Sequence, residues 1–226
     1  MVKKNSRDLV GYGSKGKIVS WPNNAKLALQ IVLNYEEGGE NSPVNGDKYS
    51  ETFLSEIIGA KAIKGRHISM ESIYEYGSRS GFWRLDKLFK EKKIPITIFG
   101  VGLALKQNPE VCDAIKKGNY EIAAHGYRWI DYQDVKKPIE KKHMQLAIKT
   151  IKNIFGSRPL GWYTGRCSPN TRDLVFDDGG FLYDSDSYSD DLPYWDYRGK
   201  KKQLIIPYTL DNNDMRFATN QGFNTG

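Results

Sequence analysis

Two adjacent carboxylic acids, Glu36 and Glu37, end an apolar run of the sequence and are followed by Gly38 and Gly39. Neighbouring side chains on a straight strand point to opposite faces, so both acids enter one pocket only if the chain turns sharply, which the glycines allow. Two carboxylates held close together, or one that is partly buried, have a raised pKa and make a better general base near neutral pH. The alternative is a solvated acidic turn.

Histidine and arginine candidates follow two later apolar runs. His125 comes directly after Tyr120–Ala124 and is either catalytic or a structural histidine. Arg166 lies between Gly165 and Cys167 in a turn-like segment. Its guanidinium suits the binding of a carboxylate or the polarisation of a carbonyl, and the alternative is a salt bridge to a nearby aspartate.

The elements that must position these residues alternate along the chain. Strands are predicted at six β-prone apolar runs: Leu27–Asn34, Ile94–Gly100, Tyr120–Ala124, Leu160–Tyr163, Phe181–Asp184 and Gln203–Tyr208. Helices are predicted between them, at Thr52–Ala62, Gly81–Lys92, Pro109–Lys117, Pro138–Phe155 and Thr171–Asp178. Alternating strands and helices indicate an α/β fold with parallel strands, either a doubly wound sheet or a (β/α) barrel. In both folds the chemistry lies beyond the carboxyl ends of the strands.

Polar residues are concentrated after these strands, as such a fold requires. Asp184 and Asp186 follow the fifth strand, and Tyr163 ends the fourth. The segment 71–84 is rich in aromatic and charged residues, which indicates a substrate pocket or a subunit contact. The simpler interpretation of that segment is a helix start with Ser80 near the N-cap.

Composition excludes several classes of protein. The chain has 226 residues with a net charge of +7. Its lysines form short clusters without a recognition motif, so we expect no nucleic-acid partner. No window approaches the roughly 20 apolar residues of a membrane span, and the first ten residues lack a secretory apolar stretch. We therefore expect a cytoplasmic protein without a membrane partner, and two unpaired cysteines rather than a disulfide framework.

In order and type these motifs resemble those of the polysaccharide deacetylase (NodB-type) family. That family has an Asp-Asp pair after its first strand, a His-x3-His motif after a later one, an arginine-containing turn and an aspartate-containing strand end. The chain is most similar to the bacterial allantoinases recruited from that family. Five stretches contain this second resemblance: Leu33–Asn41, Met70–Arg79, Pro159–Arg166, Tyr183–Tyr188 and Asp211–Phe217.

The resemblance implies a fold and a domain. It implies a (β/α) barrel of the glycoside hydrolase/deacetylase type and a single NodB homology catalytic domain over residues 1–226. Because family members continue beyond the position of Gly226, we expect a barrel that is incomplete at the C-terminus and a truncated copy or fragment.

One departure from the family pattern concerns the metal. The family's metal is held by the second acid of the pair and by both histidines of His-x3-His. Here Trp129 stands in the place of the second histidine, and the indole N–H has no lone pair for a metal. Only Glu37 and His125 remain, whereas a catalytic zinc site usually has three protein ligands. We therefore expect no metal and no other cofactor.

The resemblance also implies roles. We expect opening of a small cyclic ureide, allantoin to allantoate, with Glu36 as the base and His125 and Arg166 as groups that stabilise an oxyanion or deliver a proton. Glu37, Trp129, Tyr163 and Asp186 are expected to bind the substrate. A homo-oligomer is implied as well. The alternatives are a carbohydrate N-deacetylase and a catalytically silent module.

Overall fold

A computed structural model describes residues 7–53 and 59–215 of the chain. The chain divides into two compact units, Met1–Gln30 and Ile31–Gly226. The described part of the first unit contains a 3-10 turn at Pro22–Asn24, which begins at a proline as helix starts often do. The elements described below belong to the second unit.

Seven strands of the second unit form one sheet, and most of its pairs are parallel. In chain order they are β1 (Val32–Tyr35), β2 (Thr97–Gly100), β3 (Glu121–Ala124), β4 (Gly161–Trp162), β5 (Tyr183–Asp184), β6 (Tyr194–Arg198) and β7 (Lys201–Ile205). Their order across the sheet is β1-β2-β3-β4-β5-β7-β6. The β6–β7 pair is antiparallel and the other pairs are parallel. Because parallel neighbours end at the same edge, the segments that follow β1, β3 and β4 meet there.

Helices connect these strands. They are α1 (Ile68–Tyr76), α2 (Phe82–Lys92), α3 (Gly102–Gln107), α4 (Pro109–Lys117), α5 (Lys137–Phe155) and α6 (Thr171–Asp178), with a π-helical turn at Gly77–Gly81 between α1 and α2. Asn108 caps α4 by accepting a hydrogen bond from Val111 N–H, and Gly156 ends α5 in the left-handed conformation. None of the helices in the described ranges is long and apolar enough to cross a membrane.

Strand alternation divides the core into two clusters. Ile98 of β2 packs in a large cluster with buried residues of the helices, such as Leu105 and Ile151. Its neighbour Phe99 belongs to a second cluster with Ala123, Tyr163 and Tyr183. Successive residues of a strand face opposite sides of the sheet, so the second cluster lies on the side away from the helices. On this side of the sheet, the Phe99 ring contacts the rings of His125 and Tyr163.

The predicted α/β fold is confirmed, but several element boundaries were wrong. β1 begins at Val32 and not at Leu27. The helix expected from Gly81, with a cap near Ser80, instead continues an earlier helix that starts at Ile68 with His67 as its cap. A π-helical turn at Gly77–Gly81 joins the two helices without a break.

Other elements were missed or lie outside the described part. The short helix α3 and the antiparallel strand β6 were not predicted, and the last predicted strand, Gln203–Tyr208, corresponds to β7 at Lys201–Ile205. β6 is an edge strand without a fully buried residue, so it lacks the apolar run by which the other strands were predicted, and it pairs with β7 across a turn at Gly199. Residues 54–58 of the predicted helix Thr52–Ala62 fall outside the described ranges.

Candidate active site

A cavity of about 610 Å³ opens at the carboxyl ends of the strands. Six of the seven residues predicted from the sequence line it: Glu36, Glu37, His125, Trp129, Tyr163 and Arg166. The seventh, Asp186, lies outside the lining. The cavity also includes residues that the sequence did not single out, among them Asn34, Phe53 and Tyr74. Tyr74 falls within the aromatic segment 71–84, for which a substrate pocket or a subunit contact was expected. Asn34 was not singled out, although it is the last residue of the predicted strand Leu27–Asn34.

Glu36 and His125 form the central pair of this cavity. His125 Nε2 lies 3.0 Å from Glu36 Oε1, and His125 Nδ1 lies 2.9 Å from the carbonyl oxygen of Tyr163. A carbonyl only accepts, so Nδ1 bears a hydrogen, and one further proton must lie between Nε2 and Oε1. The pair therefore holds a single shared proton. His125 is buried, with 2% of its side chain exposed, whereas 18% of the Glu36 side chain is exposed toward the cavity.

Glu37 adopts a different orientation from Glu36, as the glycine-rich turn predicts. Gly38 has a φ of 96°, and Gly39 N–H closes the turn by donating to Glu36 O at 2.8 Å. The Glu37 carboxylate turns back and accepts the Glu36 backbone N–H at 3.0 Å. Burial, followed by repulsion from Glu36 and Glu40, raises the pKa of Glu37 to about 7 against these backbone hydrogen bonds. Glu37 is therefore close to half-ionised at neutral pH.

Glu37 also separates the main cavity from a smaller one. The second cavity has a volume of about 320 Å³, and Glu37 and Tyr74 line both cavities. Glu40 and Glu71 line the smaller one, where Glu71 accepts hydrogen bonds from Arg66. Gly77 packs so closely against Glu37 that a Cβ there would overlap the carboxylate. The second cavity is thus predominantly acidic.

An aromatic wall bounds part of the main cavity. The Trp129 ring contacts Phe53 and Tyr74, with ring centroids 5.6 and 5.9 Å away. The Arg166 guanidinium lies 4.7 Å from the Trp129 ring centroid, within the range of a cation–π contact. Arg166 Nη1 also contacts Glu51 Oε2 at 3.3 Å, so its ionic partner is a glutamate and not one of the nearby aspartates. Stacking and the ion pair together fix the guanidinium at the cavity.

Tyr163 supports His125 from behind. Its ring packs against the imidazole with centroids 4.9 Å apart and stacks on Tyr208 at 4.6 Å and 4°. The Tyr163 hydroxyl lies 3.0 Å from that of Tyr188. Burial is the largest of the effects that raise the pKa of Tyr163, so this hydroxyl stays protonated. Tyr163 therefore orients the histidine through both its ring and its carbonyl.

Asp186 holds the turn that presents Arg166. Its Oδ1 accepts the backbone N–H groups of Thr164 at 2.7 Å and Gly165 at 2.9 Å. Asp184 Oδ1 in turn accepts the Asp186 N–H at 2.9 Å. Burial and the neighbouring Asp186 raise the pKa of Asp184 to about 7. Asp186 thus lies outside the cavity lining and supports the turn that bears Arg166.

The donor set does not fit the metal site expected from the deacetylase pattern. Trp129 occupies the place of the second histidine, and its indole cannot ligate a metal. Within residues 7–53 and 59–215, no three His, Cys, Asp or Glu side chains are arranged so that they could hold a metal ion. The nitrogen of His125 that faces the cavity is bonded to Glu36 instead. The described residues therefore do not build a three-ligand site.

Comparison with known proteins assigns the family. A family model for polysaccharide deacetylases matches residues 64–183. A Schizosaccharomyces pombe protein named "Putative polysaccharide deacetylase" is 42% identical over 238 residues, which cover 96% of this chain and 74% of that protein. This chain belongs to the polysaccharide deacetylase family. It is accordingly a hydrolase of that family.

Two crystal structures resemble this family member along nearly its whole length. One, titled "Crystal structure of Puue Allantoinase", is 54% identical with a TM-score of 0.93 and covers 98% of this chain and 74% of its own. The other is described as a probable polysaccharide deacetylase from Pseudomonas aeruginosa PAO1. It is 56% identical with a TM-score of 0.93 and covers 97% of this chain and 74% of its own. The predicted barrel class of the deacetylase type is confirmed by these neighbours, although the sheet formed by the described strands is not closed.

Proposed function

We propose that this deacetylase-family hydrolase opens the ring of a cyclic ureide, with allantoin as the substrate and allantoate as the product. The observation that supports this proposal most is the Glu36–His125 pair, which shares one proton in a cavity where Trp129 replaces a metal-ligating histidine. The allantoinase relative supports the same choice of substrate.

Water activation is the first task in this reaction. Glu36 is the partly exposed member of the pair and faces the cavity, so its carboxylate accepts a proton from the attacking water. The water oxygen then bonds to a ring carbonyl carbon, and the carbonyl oxygen gains negative charge. The Tyr163 carbonyl keeps the His125 ring in one orientation throughout this step.

Charge stabilisation and proton delivery complete the reaction. The Arg166 guanidinium, fixed by Trp129 and Glu51, lies at the cavity as a cation for the developing oxyanion. As the ring C–N bond breaks, the proton shared by Glu36 and His125 passes to the departing nitrogen. The proton taken from water restores the pair, so atoms and charges balance over one turnover.

A second candidate is hydrolysis of an N-acetyl group on an amino sugar. The name of the yeast relative and the family model favour it. The deacetylase pattern includes a metal held by the second acid of the pair and two histidines, and the donor set around His125 does not fit a three-ligand site. For this reason the ureide remains the preferred substrate.

The decisive experiment compares allantoin opening with and without a chelator. We expect turnover to survive chelation, and we expect Glu36→Gln to lower kcat by about 100-fold or more because the base is lost. Glu91→Gln, an exposed helical glutamate paired with Lys87, is the matched control and should keep full activity. Complete loss on chelation with recovery on adding zinc, or unchanged turnover in Glu36→Gln, would contradict the proposal. Acetate release from chito-oligosaccharides without ureide opening would favour the second candidate.

A further inference from the structure

Tyr74 presents a buried hydroxyl that has no hydrogen-bond partner among the described residues. The residue is 8% exposed and lies on helix α1. It lines the main cavity together with Glu36, Trp129 and Arg166. The reaction steps described above do not use it.

An unpaired buried hydroxyl is costly, so its presence at a cavity calls for an explanation. Most buried polar side-chain atoms in folded proteins have a partner, and the exceptions concentrate where a ligand or a water completes the set. The Tyr74 ring is fixed by its contact with Trp129, with centroids 5.9 Å apart, and by the helix that bears it. The hydroxyl is therefore held in place before any ligand arrives.

The surroundings of Tyr74 decide which ligand group it suits. Burial and the charges of Glu51 and Glu36 raise the pKa of Tyr74, so its hydroxyl stays protonated and donates. Glu40 adds a third carboxylate and the Arg166 guanidinium opposes them, so negative groups outnumber the cation around this hydroxyl and disfavour an anionic group there. A neutral acceptor such as a carbonyl oxygen meets both conditions.

A second buried polar atom at the same cavity is an acceptor, which suits an N–H group of the ligand. Asn34 Oδ1 is also buried without a partner in the described part of the chain, and Asn34 lines the main cavity. A hydroxyl donor and an amide acceptor in one cavity complement a ligand that has both C=O and N–H groups. Amides and ureides have this combination.

We propose that Tyr74 donates its hydroxyl hydrogen to a carbonyl oxygen of the bound substrate and so selects neutral, carbonyl-containing ligands. The inference rests on the proposed function only for the identity of the substrate. It adds a substrate-contacting residue on helix α1, outside the strand-end positions at which the sequence places its candidates.

The test is Tyr74→Phe, which removes only the hydroxyl. If Tyr74 contacts the carbonyl that reacts, kcat with allantoin falls by about 100-fold, and if it contacts a second carbonyl, KM rises by about tenfold with kcat unchanged. Either result supports the contact. Because the hydroxyl has no protein partner to lose, the melting temperature of the ligand-free variant should be equal to or higher than that of the parent.

Tyr76→Phe is the matched control. Tyr76 lies on the same helix, is 55% exposed and accepts a hydrogen bond from Arg84. Its kcat and KM should remain within twofold of the parent values. Unchanged kcat and KM in Tyr74→Phe would overturn the inference whatever the melting temperature of the variant, and a lower melting temperature as well would show that the hydroxyl is satisfied within the folded protein.

The same variants distinguish failure of the proposed function from failure of the inference about Tyr74. If the parent opens no allantoin, the proposed function fails, and the same two variants are compared for acetate release from chito-oligosaccharides. A loss confined to Tyr74→Phe there would support the hydroxyl contact with an acetamide carbonyl. Should the parent act on neither substrate, the melting temperatures decide, since only a decrease in Tyr74→Phe contradicts an unpaired hydroxyl.

Discussion

Replacing Glu37 by Gln should stabilise the protein at neutral and alkaline pH while leaving it unchanged in acid. Burial is the main reason that the pKa of Glu37 rises from the ordinary value of 4.5 to about 7 in the fold. Since each pKa unit corresponds to about 1.4 kcal/mol, ionising this carboxyl costs the folded state about 3 kcal/mol. Gln has the same shape and keeps an oxygen that can accept the Glu36 N–H, but it has no charge to bury.

The sign of the pH dependence follows from proton linkage. Below pH 4.5 Glu37 is protonated in both the folded and the unfolded chain, so the two proteins have the same stability. Between pH 4.5 and 7 the folded parent binds more protons than the unfolded one, and its stability falls as the pH rises. The advantage of Glu37→Gln should therefore grow through this interval and reach about 3 kcal/mol above pH 7.

Urea unfolding at half-unit steps from pH 4.5 to 8.5 measures this difference. All other titrating groups are common to both proteins, so subtracting the two stability curves isolates Glu37. Glu91→Gln serves as the control, because an exposed helical carboxylate contributes under about 1 kcal/mol and its removal should give a flat difference. A flat curve for Glu37→Gln, or a variant that is less stable than the parent at pH 8, would refute the assignment of a buried, reluctantly ionised carboxyl.

Two further predictions concern backbone positions and loop support. Gly77→Ala should lower the free energy of unfolding by about 2 kcal/mol and displace the Glu37 carboxylate, because its Cβ would overlap that group. Gly81 lies in the same π-helical turn, and a Cβ there would be 3.8 Å from its nearest neighbour, so Gly81→Ala should be neutral or slightly stabilising. Equal changes in the free energy of unfolding for the two variants, measured with urea, would contradict this reasoning. Asp186→Ala should destabilise the fold by about 2 kcal/mol and reduce kcat/KM at least tenfold, since it leaves the buried Thr164 N–H and the half-buried Gly165 N–H unpaired and frees the turn that bears Arg166. Wild-type kinetics in that variant would contradict the positioning role.

The resemblance to the allantoinase branch has consequences for the acid pair. Glu36 and Glu37 are adjacent in sequence but differ in environment, because one pairs with His125 at the cavity and the other turns back under its own backbone. A buried acid with a pKa near 7 beside an acid paired to histidine gives the site two different proton-binding groups. The reaction proposed here uses only the first. Glu37 contributes mainly through its charge and through its position between the two cavities.

Much of the site was predictable because parallel strands impose a simple rule. Residues that follow the strands collect at one edge, so Glu36, His125 and Tyr163 were expected together although 127 positions separate the first from the last. The glycines after Glu37 predicted the turn that redirects its side chain. The order of these motifs also predicted the family, and the family match over residues 64–183 confirms that prediction.

Other features depended on contacts between distant segments. The Glu51 partner of Arg166, the supporting role of Asp186 and the unpaired hydroxyl of Tyr74 all arise where loops and helices far apart in sequence meet. No local pattern specifies such pairs, because side-chain partners are chosen by packing and by the need to satisfy buried polar atoms.

The sequence by itself determined the alternation of strands and helices, the edge at which the chemistry lies, and the absence of a second histidine at Trp129. They depend on residue types and on the spacing of apolar residues along the chain, both of which can be read without knowing the fold. The tertiary structure alone decided that helix α1 continues through a π-helical turn, that Glu36 pairs with His125 while Glu37 turns back to its own backbone between two cavities, and that Asp186 supports a loop. Burial and the pKa values that follow from it depend on the whole surrounding fold, so they emerge only when distant segments pack together.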